Sequence, residues 1–372
     1  MTIDRPPVPP PYRPDPTPVP SSTSAIRQPN APPPVPPRLA GLAQRHPLVI
    51  AAVIVSVAVT LGTAVLTVVA FAARTWWVFD ILTSYRPQFV LVLAIAVVAL
   101  AVLRCWKTLV VALLALALNA TQVAPVFVGH QAAARPGSPV LTIAHLNLQS
   151  RIGDLPAMDQ WLATRPADVV VFLHTATATA KHLEDGESGY RMIYPRVIDR
   201  HPSRGSARFD PRSPEVIVLT DRVGVTAQTP VQPGLPSAAV EIRAHLGTRT
   251  MTLLGLHTLS PGTGERQNVR DAELVAVGNW LKAAPAPAVA FGDFNTTYYS
   301  PELADLLHHA GATTSQLGFG IQATWPRQFR PAGIAIDQSV YTGPITAVRR
   351  HRGPNLGSEH RALVVTYALA AS

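Results

Sequence analysis

Ala288-Val289-Ala290-Phe291-Gly292-Asp293-Phe294-Asn295 is a short apolar run closed by a glycine and two polar residues. It reads as a buried strand with Asp293 and Asn295 at its mouth. Side chains at i and i+2 of a strand point to one face, so the spacing predicts a carboxylate beside an amide. The first can take a proton from water and the second can hydrogen-bond a phosphate oxygen. Asp and Asn are also ordinary turn formers, so the rest of the chain decides between a site and a simple turn.

Around this stretch, from Pro139 onward, short β-branched runs alternate with helical or loop segments. Strands are expected at Val140 to Leu146, Asp168 to Leu173, Glu215 to Leu219, Ala239 to Ala244, Met251 to Leu256, Ala288 to Phe291, Ala335 to Tyr341 and Ala362 to Leu369. Helices are expected at Leu155 to Thr164, Glu265 to Ala283 and Pro301 to Ala310, the last with Ser300 as N-cap and Pro301 at its first position. Polar residues recur at or near the strand ends: Asn147, His174, His257, Asp293 with Asn295, Asp337, and Glu359 with His360. One such residue is unremarkable, but six strand ends carrying Asn, Asp and His point to a common site.

The order of Leu141 to Asn147, Pro166 to Val171, Gly255-Leu256-His257, Gly292-Asp293-Phe294-Asn295, Thr324-Trp325-Pro326, Ile336-Asp337 and Gly357-Ser358-Glu359-His360-Arg361 resembles the endonuclease/exonuclease/phosphatase superfamily. The resemblance implies an α+β fold, a four-layer αββα sandwich with its site at one edge of the paired sheets. It implies Asp293 as the residue that orients or deprotonates water, Asn295 and His257 as phosphate ligands, and an Asp337–His360 couple. Asn147, His174 and Glu359 then fall at the metal positions. A divalent ion, Mg²⁺ or Mn²⁺, is implied, to neutralise a phosphoryl transition state.

Three positions depart from that pattern. His174 stands where the family has its main metal-binding Glu, Gln338 where a His or aromatic residue follows the Asp, and Glu359 where an Asp precedes His360. An imidazole weakens a Mg²⁺ site and suits Mn²⁺ or Zn²⁺, with His145 as a second nitrogen on the Asn147 face. The competing reading is a site that has lost its metal and only binds a phosphorylated ligand or a protein.

The first third of the chain has a different character. Residues 1–45 are crowded with proline and lack apolar periodicity, as in a disordered tail. Residues 46–130 carry three charge-free runs, about 47–73, 87–103 and 108–128, read as three transmembrane helices, with a re-entrant hairpin as the alternative for the last two. Arg5, Arg13, Arg27, Arg38 and Arg45 precede the first run, and Arg104 and Lys107 lie between the second and third. The positive-inside rule then makes the N-terminus cytoplasmic and places residues 139–372 outside a plasma membrane. The lone Cys105 falls in the cytoplasmic turn, so no disulfide is expected.

Of the formal net charge of +9, residues 1–130 contribute nine basic against three acidic residues and the remainder 22 against 19. The second part is nearly neutral, which disfavours nucleic acid as a partner and an extracellular nuclease as the function. Arg191, Arg196, Arg200, Arg204, Arg208 and Arg212 form a basic segment broken by Pro and Gly, read first as a solvated loop, with docking on anionic headgroups or on a pyrophosphate as the alternative. The layout, three spans and then this domain, is also similar to VanJ-type teicoplanin-resistance membrane proteins. That implies a membrane-anchored phosphoesterase or pyrophosphatase whose substrate is a lipid phosphate, such as a polyprenyl pyrophosphate carrier in the cell envelope.

Overall fold

A computed structural model describes residues 46–185, 189–194, 216–221, 223–228, 233–236, 238–328 and 330–369. The Pro-rich tail and Arg196 to Arg212 lie outside the described residues. The chain divides into two units, 1–50 and 51–372, and the second holds all of the architecture below except the first turn of the first helix.

Helix α1 (Pro47–Phe71) is followed by a single 3-10 turn, α2 (Trp77–Thr83), α3 (Arg86–Val102), α4 (Trp106–Val123) and the one-turn α5 (Pro125–Val128). Two of these, α1 and α4, are long and apolar enough to cross a membrane, and α2 with α3 makes a third only if the pair, bent by 64°, is one span. Pro125 ends α4, because proline supplies no N–H to a continuing helix, so the expected run to Val128 is broken one turn early. The helices expose large apolar side chains such as Val65, Val68, Ile95 and Leu114. Thr60, Thr63, Thr67 and Asn119 turn inward, where Asn119 donates to Thr67 Oγ1 at 2.8 Å.

From residue 140 the elements are β1 (Val140–Asn147), α6 (Leu155–Ala163), β2 (Val169–Leu173), α7 (Thr177–Asp185), β3 (Arg191–Tyr194), β4 (Val216–Thr220), β5 (Gly224–Gln228), β6 (Val240–Leu246) and β7 (Arg249–His257). They continue with α8 (Gly264–Ala283), β8 (Ala288–Asp293), α9 (Pro301–Ala310), β9 (Thr313–Thr314), β10 (Asp337–Thr342), β11 (Ile345–Arg352) and β12 (Leu363–Leu369). The strands form two six-stranded sheets, ordered β11-β12-β1-β2-β4-β3 and β5-β6-β7-β8-β10-β9.

Strand alternation builds the layers. In β1, Leu141 and Ile143 join Val171, Leu253 and Phe291 in the core between the sheets. Ala144 and Leu146 face the other way, onto Met158 and Leu162 of α6 and Leu183 of α7. On the far side Leu254 and Leu256 of β7 pack on Leu274 and Trp280 of α8 and Leu303 of α9. Each such fully buried Leu, Ile, Val, Phe or Met side chain contributes roughly 1.5–3 kcal/mol. The result is an αββα sandwich of the expected class.

Candidate active site

The two parallel pairings, β1 with β2 and β7 with β8, bring strand ends to one edge of the sandwich. In the second sheet, register places His257 opposite Asp293 and Asp293 opposite Asp337. In the first, Asn147 ends β1 opposite Leu173, and His174 follows at once. The loop before β12 brings in His360, because Ser358 Oγ donates to Asn147 O at 2.6 Å and accepts from His360 N at 3.0 Å.

Asp293 is the hub. Its Oδ2 accepts from Asn147 Nδ2 at 2.9 Å, and His257 Nε2 and His360 Nε2 lie 3.5 and 3.8 Å away. Its other oxygen accepts from Asn295 N at 3.0 Å. His360 Nδ1 meets Asp337 Oδ2 at 3.0 Å, and His145 Nε2 lies 3.4 Å from Asp337 Oδ1. Burial works against the imidazolium of His360, but Asp337 and then Asp293 outweigh it and lift its pKa to about 9. Burial likewise opposes ionisation of Asp337, and His360 with His145 holds that carboxyl well below the usual range. The centre is therefore a buried imidazolium between two carboxylates.

The expected alignment of Asp293 and Asn295 on one strand face does not hold. The strand ends at Asp293, and Asn295 has a left-handed backbone, φ 47°, a region Asn tolerates better than most residues. Its side-chain amide donates to Thr258 O at 2.8 Å, so it ties the loop down instead of lying beside Asp293. Gly292 permits the turn. At φ 142°, a Cβ there would sit 1.9 Å from Leu256 O.

His174, at φ 46°, turns its Nε2 to His257 Nδ1 at 3.1 Å, and the two rings meet edge to face. Burial, then the neighbouring imidazoles of His257 and His360, push His174 down to about 3, so it is neutral. Burial lowers His257 also, against the pull of Asp293. Glu359 turns outward to Arg151, whose Nη2 donates to it at 2.7 Å. The extra methylene relative to Asp carries the carboxylate to that partner. His145 faces Asp337, as a further support of that carboxylate. Gln338 is fully buried and donates to Ala335 O at 2.6 Å, bracing the turn before β10.

Among the described residues, the His, Asp and Glu side chains whose ligand atoms gather within 4.8 Å are Asp293, Asp337 and His360. Glu359 and His174 are not part of that group: Glu359 is drawn to Arg151, and His174 lies against His257. Asp337 Oδ1 is buried and accepts no hydrogen bond. A carboxylate oxygen of this kind, with the His145 ring nitrogen 3.4 Å away, fits a divalent ion that tolerates nitrogen.

A family model described as "Endonuclease/Exonuclease/phosphatase family" matches residues 144–360, more than half of the chain. The chain belongs to the endonuclease/exonuclease/phosphatase family. Hydrolases of this family are typically metal-dependent phosphoesterases, and Asp293, Asp337 and His360 form a group able to hold such an ion. D. rerio TDP2 complexed with single strand DNA product is similar at 17% identity, with 61% of this chain and 98% of that chain covered and a TM-score of 0.47. The endonuclease/exonuclease/phosphatase from Beutenbergia cavernae is 17% identical over 62% of this chain and 72% of its own, with a TM-score of 0.44. Sphingomyelinase C from Streptomyces griseocarneus is 15% identical over 62% and 99%, with a TM-score of 0.42. No curated protein matches the chain.

Sequence reasoning missed Arg270 of α8, which is 1% exposed. Its Nη1 donates to Asn295 O at 3.2 Å and its Nη2 to Asp80 of α2 at 2.7 Å. Asp80 also accepts from Ser300 Oγ at 2.9 Å. Arg270 and Asp80 lie 190 positions apart, and no local pattern links them.

Proposed function

We propose that this chain is a membrane-anchored, metal-dependent phosphoesterase or pyrophosphatase acting on a lipid-linked phosphate at the outer face of a plasma membrane. The observation that carries it is the Asp80–Arg270–Asn295 connection, which fastens the segment between the apolar helices to the loop that leaves Asp293. Thr297 Oγ1, donating to Ser84 Oγ at 3.3 Å, adds a second tie. A hydrolytic site held directly against its anchor meets substrates that are themselves in the bilayer. The basic residues that precede the first apolar run favour the outward orientation, and the resemblance in layout to VanJ-type proteins favours the polyprenyl pyrophosphate substrate.

Asp293 orients the attacking water and takes its proton, the role its central position suits. His360, charged, donates to a phosphoryl oxygen as negative charge develops there, and Asp337 keeps that imidazole oriented and protonated. His257 holds the phosphate with Asn147, while Asn295 shapes the loop. Asp293 and Asp337, with neutral His174 and Asn147 adjoining, would hold the divalent ion, which when bound supplies charge neutralisation at the phosphate. Mn²⁺ or Zn²⁺ suits that set better than Mg²⁺.

The inward turn of His174 onto His257 favours a second reading, a metal-free domain that binds phosphorylated ligands. The two readings separate on phosphate release from a polyprenyl pyrophosphate by full-length protein in detergent, given Mg²⁺, Mn²⁺ or Zn²⁺ in turn. Release that requires a metal and vanishes in Asp293→Ala establishes the hydrolase. No release with any metal leaves the binding domain.

A further inference from the structure

A cavity of about 510 Å³ opens where the apolar helices meet the sandwich, a size typical of small-molecule sites. Its floor is the end of α1, the first turn of α3 and the end of α4, and its roof is residues 298–301 with Ala304 and Leu307 of α9. Two of the residues that line it carry a buried polar atom without a hydrogen-bond partner among the described residues, Arg86 Nε and Tyr299 Oη.

Arg86 is 3% exposed. Its guanidinium makes only long contacts, 3.4 Å to Asn119 Oδ1 and 3.3 Å to Ala70 O, and lies 4.3 Å over the Phe71 ring. No carboxylate bridges to it among the described residues. Of the acids on the neighbouring elements, Asp305 pairs with Arg74 at 2.6 Å, Asp80 pairs with Arg270 at 2.7 Å, and Glu302 accepts from Ser300 Oγ at 2.6 Å. Arg86 opens α3, which has no side-chain cap, so the positive end of that helix dipole adds to the charge there. A buried cation without a counter-charge is costly, and a guanidinium with five N–H donors matches a phosphate. The remaining walls mix apolar side chains, Phe71, Ala304 and Leu307 among them, with Arg74, Thr121 and Gln122.

We propose that this cavity binds the phosphate headgroup of a membrane lipid, with Arg86 as its counter-charge and Tyr299 as a hydrogen-bond donor. The inference rests on the membrane placement of the helices given above, and it does not depend on hydrolysis. Such a site would hold a lipid headgroup on the loop that begins at Asp293, so that lipid occupancy and the catalytic loop share residues 298–301.

The test is titration of dioctanoylphosphatidic acid, dioctanoylglycerol and inorganic phosphate into full-length protein in uncharged detergent with EDTA, followed by calorimetry. The variants are Arg86→Gln, Ala304→Phe and Asp293→Ala. Saturable binding of phosphatidic acid is expected, at least tenfold tighter than either other probe. It should weaken at least tenfold in Arg86→Gln and Ala304→Phe and change less than twofold in Asp293→Ala. Ala304 is exposed on α9, so its variant fills the cavity even where Arg86→Gln does not fold. Unchanged binding in Ala304→Phe overturns the proposal, as does loss of binding in Asp293→Ala alone, which would assign the headgroup to the catalytic centre. Inorganic phosphate binding as tightly as phosphatidic acid overturns the lipid assignment. Persistent Arg86-dependent binding in a protein that hydrolyses nothing with any metal refutes the hydrolase reading only.

Discussion

Asp80→Asn removes one charge of a pair in which both partners are almost fully buried, Asp80 at 3% and Arg270 at 1% exposure. Breaking a buried ion pair from one side costs about 3–5 kcal/mol, because the other charge is left without compensation. Arg270 Nε keeps a contact of 2.7 Å with Asp271 Oδ1, and an Asn oxygen can still accept from Ser300, so the expected loss is at the lower end, about 3 kcal/mol. At about 2–4 °C per kcal/mol, Tm falls by about 6–12 °C. Thermal unfolding of the detergent-purified protein reads this directly. Arg270→Met should cost a similar amount, and Asp80→Asn/Arg270→Met should be less destabilised than the two single variants added together, by about 1–3 kcal/mol. Below the transition, kcat should fall in all three, since Arg270 holds the Asn295 carbonyl. A Tm within 1 °C of the parent for Asp80→Asn, or strict additivity in the double variant, would refute the coupling.

The His360 pair predicts a pH dependence. Its folded value of about 9 lies above the usual 6.5, so the stabilisation is fully present below 6.5 and is lost as pH rises through about 9, a loss of about 3 kcal/mol; Tm measured from pH 6 to 10 with EDTA should show it, and Asp337→Asn should flatten the curve. His174→Glu places a hard oxygen donor where the imidazole now stands and should shift metal preference toward Mg²⁺, read as relative phosphate release with Mg²⁺ and Mn²⁺; an unchanged ratio would remove His174 from the metal site. Gly292→Ala forces a Cβ into Leu256 O and should yield no native near-UV circular dichroism, whereas a folded, active Gly292→Ala would contradict the geometry at the β8 terminus.

The buried strands were legible because their sequences carry their environment: Val169 to Leu173 and Ala288 to Phe291 are apolar without interruption, as strands covered on both faces are. Four strands escaped. β11 carries Arg349, Arg350 and Arg352, β5 and β3 are short edge segments, and β9 has two residues, so none offers an apolar run. Helix α7, Thr177 to Asp185, begins Thr177-Ala178-Thr179-Ala180 and has Leu183 as its one large apolar residue, so it offers little apolar stripe. At the site, residue types at strand ends revealed which groups converge on Asp293, because parallel strands end at one edge. They could not reveal rotations. Asn295 leaves the strand face through a left-handed turn, His174 turns to another imidazole, and Glu359 is drawn to Arg151, each a tertiary choice with no local signature.

The Asp80–Arg270 pair also imposes an order on synthesis. A chain emerging from its N-terminus completes α1 to α4 long before α8 exists, so Asp80 is already in position when Arg270 arrives. A copy whose helices have not found their place offers Arg270 no such partner, and the Asn295 turn then lacks its brace. Assembly of the apolar helices thus acts as a licence for the Asp293 centre, and copies in which those helices stay unassembled would be expected to lack an ordered Asn295 turn.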